Sequence, residues 1–276
     1  MSRATISTLV LLAFAGAFTL AEAAIAEAPK LTAVEIVDRN LAARGGLEKL
    51  RGLRTMSWSG MMDAGGGNRP PVLGIPGQAH TTQTAPQAPA PQLQLPFVLE
   101  MMRGHKSRLE ITFNGQTAIQ VYDGKQGWKL RPFLNRHDVE SFTADELQAV
   151  QNQSDLDGRL VDYAAQGTKL EADGVDKVEG KDAYKLKLTL KGGQVVHEWI
   201  DAQSFLEVKV DGTPRKLDRK PHAVSILLRD YRSVDGLMIP HLIETDVQGV
   251  QRAETIRIEK VLVNPRLAES RFAKPT

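Results

Sequence analysis

The sequence predicts a mainly β (α+β) fold: a curved antiparallel sheet of about ten or eleven strands forming a half-open barrel, with short helices covering its concave side. Three features of the chain carry this expectation. From Thr55 onward apolar and polar residues alternate with the period of a half-buried strand; Gly, Asp and Asn return at hairpin spacing; and helical periodicity is confined to a few short stretches.

The first residues read as a secretory signal peptide over 1–26. Arg3 precedes the apolar run Ile6 to Leu20, which gives way to Ala21-Glu22-Ala23 and Ala24-Ile25-Ala26, small-residue triplets suited to a signal peptidase. The run is shorter than the roughly 20 apolar residues a spanning helix needs. In Leu31-Thr32-Ala33-Val34-Glu35-Ile36 the Thr32 hydroxyl and the Glu35 carboxylate are spaced as a capping box, with Leu31 and Ile36 as its hydrophobic staple. Val34, Val37 and Leu41 recur at helical spacing before Gly45-Gly46 stops the helix, and a second short helix spans Leu47 to Leu50 and ends at Gly52.

From Thr55 the period becomes two, with Met56, Trp58 and Met62 set against Ser57 and Ser59. The stretch 64–96 is dominated by Gly, Pro, Gln and Ala and is expected to be a disordered insertion between two strands. Strand signals then follow closely. Phe97 to Met102 is apolar, Leu109-Ile111-Phe113 alternate with polar neighbours, and Ile119-Val121 lead through Asp123-Gly124 to Trp128-Leu130. Thr143 and Glu146 form a second capping box opening a helix through Val150, and Leu156 to Tyr163 reads as another short helical piece. Tyr184-Leu186-Leu188-Leu190 against Lys185, Lys187, Thr189 and Lys191 is the clearest alternation, and Val195 to Asp201, Leu206 to Val210, Val224 to Tyr231, Leu237 to Asp246 and Thr255 to Val263 continue it.

Composition narrows the function. With no cysteine there is no disulfide, no thiolate metal ligand and no lipidation site after the leader, so an exported, periplasmic, soluble protein is expected. Lys plus Arg total 35 against 33 Asp plus Glu, interleaved along the chain, which argues against nucleic acid as a partner. None of the six histidines has the His-x-x-x-His spacing of a zinc helix, and Asp155-Leu156-Asp157-Gly158 lacks the closing glutamate of a calcium loop, so no metal and no cofactor are expected. There is no Gly-x-Ser-x-Gly elbow and no phosphate-cradling glycine loop, and the chain is read as non-enzymatic. A carboxylate pair stays open, because paired acids need no fixed spacing.

Four segments carry a further signal: the opening helix with Gly45-Gly46-Leu47-Glu48-Lys49-Leu50, the segment Val121-Tyr122-Asp123-Gly124-Lys125-Gln126-Gly127-Trp128, the segment Tyr231-Arg232-Ser233-Val234-Asp235-Gly236-Leu237-Met238-Ile239-Pro240, and the tail from Val263-Asn264-Pro265 through Phe272-Ala273-Lys274-Pro275. Together they resemble the LolA-like superfamily, which includes outer-membrane lipoprotein-sorting proteins. The resemblance runs from about Leu31 to the C-terminus and implies a single domain over 31–276: an unclosed antiparallel barrel around an apolar cavity with helices as a lid. It also implies carriage of acyl chains or lipoproteins across the periplasm. Its motifs are turns, so no ligand-contacting residue carries over, and the insertion at 64–96 departs from the family pattern.

Leading candidates for the cavity lining are Trp58, Phe97, Leu99, Met101, Leu109, Ile111, Val121, Trp128, Leu186, Leu188 and Trp199, with Tyr184 on the same alternation. Such residues equally make an ordinary core. The functional expectation is a monomeric carrier of a lipid or of lipoprotein acyl chains. An acyl chain gains about 0.8 kcal/mol per buried methylene, so apolar burial alone supplies affinity. The alternative is an envelope-sensing or protein-binding module of the same fold, using the Pro-rich stretch Ala85 to Pro96 to engage another envelope protein.

Overall fold

A computed structural model describes residues 30–64, 93–151, 156–217 and 219–276. The expected leader lies outside the described residues, as does most of the expected insertion. Helices α1 (Ala33–Ala43) and α2 (Leu47–Arg51) open the chain. Six strands follow, β1 (Thr55–Ala64), β2 (Leu93–Met102), β3 (Lys106–Phe113), β4 (Gln116–Tyr122), β5 (Gly127–Arg131) and β6 (Arg136–Ser141), and then α3 (Ala144–Gln151). The second half contains β7 (Lys169–Val178), β8 (Lys181–Thr189), β9 (Val195–Asp201), β10 (Glu207–Asp211), β11 (Arg215–Leu217), β12 (Lys220–His222), β13 (Val224–Val234), β14 (Leu237–Val247) and β15 (Glu254–Val263).

Thirteen of these strands form one curved antiparallel sheet in the order β6-β5-β4-β3-β2-β1-β15-β14-β13-β10-β9-β8-β7, and β11 pairs only with β12. Two meanders therefore meet where the first strand pairs with the last. Strands β6 and β7 are left as edges, so the sheet does not close into a barrel. Along the β1–β15 seam the partners run from Met56 opposite Val263 to Met62 opposite Ile256, with an extra residue on β15 at the Ser59–Gly60 step.

One face of the sheet, the inner face, packs against the helices. Thr32 and Glu35 form the reciprocal capping box, and α1 buries Ile36, Val37 and Leu41 in the same core as Leu50, Leu53, Met62, Leu186 and Ile258. Val34, on the expected apolar stripe, is exposed instead; the stripe that packs is centred on Ile36 and Val37. Gly45, at φ 121°, ends the helix where a Cβ would stand 2.3 Å from the Gly236 carbonyl oxygen, so α1 reaches its seat on the β13–β14 turn because this residue has no side chain. The other end of the cover is tied down by polar contacts. Arg103 Nε donates to the Leu53 carbonyl at 2.8 Å, and Asn264 Oδ1 accepts from the Arg54 amide at 2.7 Å.

Three expectations are corrected. Residues 156–167 form consecutive turns rather than a helix, because Gly158, Asp162 and Gly167 all adopt positive φ. Ala64 belongs to β1 and residues 93–96 to β2, so the expected disordered segment does not reach either bound given for it. The main sheet has thirteen strands rather than ten or eleven, since the edge strands β6 and β7 are exposed along most of their length and the irregularity between Ala172 and Val175 breaks the apolar period of β7. On the outer face the C-terminal 3-10 turn Glu269–Phe272 lies over β2 and β3, where Arg271 pairs with Glu100 and Glu110 and Phe272 is buried. No helix among the described residues is long and apolar enough to cross a membrane.

Candidate functional site

The strand register assembles an apolar track on the inner face. Leu95 lies opposite Met62, Met62 opposite Ile256, Ile256 opposite Ile243, and Ile243 opposite Leu228, so one row crosses five adjacent strands, β2, β1, β15, β14 and β13. At about 4.8 Å per strand the row is about 19 Å long. Leu95, Met62 and Ile256 are buried, whereas Ile243 and Leu228 are half-buried, as are Ile226 and Val210, which face each other across β13 and β10. The apolar surface thus extends beyond what fully covers it. Next to this open end Thr245, opposite Ile226, has a buried hydroxyl with no hydrogen-bond partner.

The register sorts the sequence-predicted lining residues into two groups. Trp58, Phe97, Leu99, Met101, Leu109 and Ile111 share the inner face through the pairs Trp58–Leu99, Leu99–Leu109 and Phe97–Ile111, with Met101 opposite Met56. Leu186 and Leu188 lie on the same face farther along, fully buried beside Tyr184, whose ring stacks on Phe205. Val121, Trp128 and Trp199 do not. Val121 is opposite Arg108 and Trp128, on the face that carries Glu100 and the C-terminal turn. Trp199 is opposite Lys185 and Lys209; its indole N–H donates to Asp176 at 2.9 Å and the Lys209 ammonium lies 4.2 Å from its ring centre.

The physical reason is hairpin parity. Asn114-Gly115, both at positive φ, form a two-residue turn that sets Phe113 opposite Gln116, so every odd residue of β3 faces an even residue of β4. That signal was present in the sequence. Ile243, Leu228 and Ile256 were missed for a different reason: their strands were evident, but nothing local says which side of β13 to β15 meets the helices.

A buried polar group sits under the cover and was not anticipated. Two arginines come from the covering segments, Arg44 at the end of α1 and Arg159 in the turns, and two glutamates come from the sheet, Glu198 on β9 and Glu207 on β10. Arg44 approaches Glu207 at 3.5 Å and Arg159 approaches Glu198 at 3.4 Å. Arg44 packs on Gly158, where a Cβ would stand 3.1 Å from Nη1, and the Tyr231 hydroxyl donates to the Glu207 carbonyl at 2.9 Å. Glu198 Oε2 and Arg44 Nη1 are buried without hydrogen-bond partners. Burial, reinforced by the neighbouring Glu207 charge and only partly offset by Arg159 and Arg44, pushes the Glu198 carboxyl up to about 7. Burial also holds the Tyr231 hydroxyl well above its usual range.

A pH dependence follows. Because the folded-state value of about 7 lies above the ordinary 4.5, the folded protein binds more protons than the unfolded chain between those values. Glu198 therefore favours the folded state most fully below about pH 4.5, and that contribution is lost as pH rises to about 7, a change on the order of 3 kcal/mol. Urea unfolding across this window should show a falling component that disappears in Glu198→Gln; an unchanged profile in the variant would place the titration elsewhere.

No protein-family model matches the sequence, and no curated protein matches it. Solved structures do. A DUF1329 family protein from Desulfovibrio piger superposes with a TM-score of 0.55 at 14% identity, over 87% of this chain and 97% of that one. A LolA superfamily protein from Nitrosomonas europaea gives 0.53 at 12% identity, over 89% and 99%. A domain assigned as an outer-membrane lipoprotein-sorting protein from Vibrio parahaemolyticus gives 0.51 at 12% identity, over 88% and 96%. The fold is LolA-like, and at these identities the likeness speaks for the fold alone.

Proposed function

We propose that this protein is a periplasmic, non-enzymatic carrier that holds a lipid, or the acyl chains of a lipoprotein, against the inner face of its sheet. The five-strand apolar row carries the proposal. Its partly uncovered end at Ile243 and Leu228 offers a long apolar group a place to bind without a polar catalyst. On the same face Phe97 and Ile111 lie next to the row, and Leu99, Leu109 and the half-buried Trp58 and Met101 continue the proposed lining away from it along the strands; Leu186 and Leu188 lie on this face in the other meander. The signal peptide expected over 1–26 supports export, and the outer-membrane lipoprotein-sorting neighbour supports the choice of cargo class.

Binding of a fluorescent long-chain fatty acid tests the surface. A buried Leu or Ile contributes about 1.5–3 kcal/mol, so replacing both Ile243 and Leu228 with Gln is expected to weaken binding about hundredfold or more. Leu227→Gln, one residue along β13 and on the other face opposite Lys209, serves as the control. Equal losses in both proteins would mean that the fatty acid does not use the inner face.

A further inference from the structure

Between β10 and β13 the chain leaves the main sheet and folds into a separate hairpin, β11–β12, with Arg215 opposite His222, Lys216 opposite Pro221 and Leu217 opposite Lys220. Its base is anchored. Both terminal nitrogens of Arg215 donate to the Glu254 carboxylate at 2.8 Å, a fork held by a side chain with only 7% exposure, and His222 Nδ1 lies 2.8 Å from the Gln248 carbonyl. Its tip is open: Lys216, Arg219 and Lys220 are all exposed.

Residues 213–222, TPRKLDRKPH, hold four Lys or Arg against one Asp, a net +3. Another basic stretch, 103–108, is spent on structure, since Arg103 pairs with Asp157, Lys106 with Glu269 and Arg108 with Glu110. The hairpin tip differs. Among the described residues no carboxylate pairs with Arg219 or Lys220, and the Lys216–Asp145 contact of 3.3 Å joins two side chains that are both at least 70% exposed, where such a pair contributes little. An anchored base thus presents three exposed cations flanking Leu217, with Pro214 and Pro221 exposed beside them.

We infer that the β11–β12 hairpin docks the protein on an anionic phospholipid surface, with Lys216, Arg219 and Lys220 meeting the lipid phosphates. A specific protein partner needs about 800 Å² of surface per side, more than a tip of this size presents, whereas a charged bilayer needs only clustered cations and tolerates any orientation among them. The hairpin also stands beside the start of β15, two residues from Ile256 in the apolar row. Docking does not depend on what the inner face holds.

Co-sedimentation of the mature protein with vesicles of phosphatidylglycerol and phosphatidylethanolamine in equal parts tests this, with phosphatidylcholine vesicles for comparison. Binding to the anionic vesicles should be salt-sensitive and weaken about hundredfold in the triple variant K216Q/R219Q/K220Q, at about fivefold for each cation. The triple variant K125Q/K181Q/K191Q, with the same charge change at exposed positions elsewhere, should bind like the wild type. Absence of wild-type binding, an equal loss in the two variants, or displacement by inorganic phosphate at constant ionic strength would each overturn the inference.

Discussion

Glu146→Ala is expected to cost about 3–5 kcal/mol of unfolding free energy, the range for breaking a buried ion pair by removing one partner. Lys129 and Glu146 are 6% and 2% exposed, and the Lys129 ammonium donates directly to the Glu146 carboxylate. Lys129 projects from β5 on the inner face, opposite Gln120, so its aliphatic stem and charged head are committed to the side where α3 lies. The same carboxylate accepts from the Thr143 amide at 2.6 Å and completes the cap of α3. Alanine would leave a buried ammonium unpaired and uncap the helix together. For a chain of this size the midpoint of thermal unfolding should fall by about 10 °C. Glu146→Gln retains the capping geometry and separates the two contributions. The pair Lys129→Met with Glu146→Gln should be much milder than Glu146→Ala, because no uncompensated charge remains; if it is equally damaging, the charge pair is not the cause.

The second large effect is expected at Gly60. This residue lies at the irregular step of the β1–β15 seam, and a Cβ there would stand 2.0 Å from the Arg257 carbonyl oxygen and 2.9 Å from the Glu259 amide nitrogen. The obstruction is backbone, so no side-chain rotation relieves it; the extra residue of β15 or the strand spacing must yield. Because this seam joins the two meanders, the disturbance falls on the pairing that makes them one sheet. Gly60→Val should destabilise by about 3 kcal/mol or more, read from chemical unfolding, with protection of the β1 and β15 amides from hydrogen exchange lost first. Gly180, in the β7–β8 turn with nothing within 4 Å of an added Cβ but at φ 81°, should show only the smaller conformational cost on replacement by Ala. Similar effects at the two sites would contradict the seam argument.

Much of the fold was legible because the sequence states it redundantly. Two capping boxes, at Thr32 and Thr143, mark where α1 and α3 begin, and the alternation of Met56 to Met62 and of Tyr184 to Leu188 gives one buried face to each of those strands. Strands without a regular apolar alternation could not announce themselves in this way: β6 has none, and in β7 the irregularity between Ala172 and Val175 puts Leu170, Ala172 and Val175 out of period. The site was legible only in part. Alternation within a strand says which residues lie together, but the face they join depends on the register across each hairpin. Asn114-Gly115 fixes that register in two residues, whereas the Gly192-Gly193 turn between β8 and β9 does not, and Trp199 falls beside Lys185 rather than Leu186. The Arg44, Arg159, Glu198 and Glu207 group had no local signal at all. Its four members are far apart in the chain and meet only because α1 and the turns at 156–167 lie over β9 and β10.

These elements share one physical logic. A wide sheet is pinned at the β1–β15 seam, its inner face is covered under α1 and α2, and its apolar row runs out from that cover toward Ile243 and Leu228. The arginine–glutamate pairs fasten the cover with contacts of 3.4–3.5 Å that leave polar atoms unsatisfied, a weaker attachment than fully made buried pairs would provide.

The most direct test of the carrier account is native mass spectrometry of the protein, purified from its own cells without detergent and paired with organic extraction. The account predicts a stoichiometric lipid or acylated peptide that is lost from the protein with Ile243 and Leu228 both replaced by Gln. A mass corresponding to protein alone, unchanged after exposure to envelope lipids and acylated peptides, would contradict it.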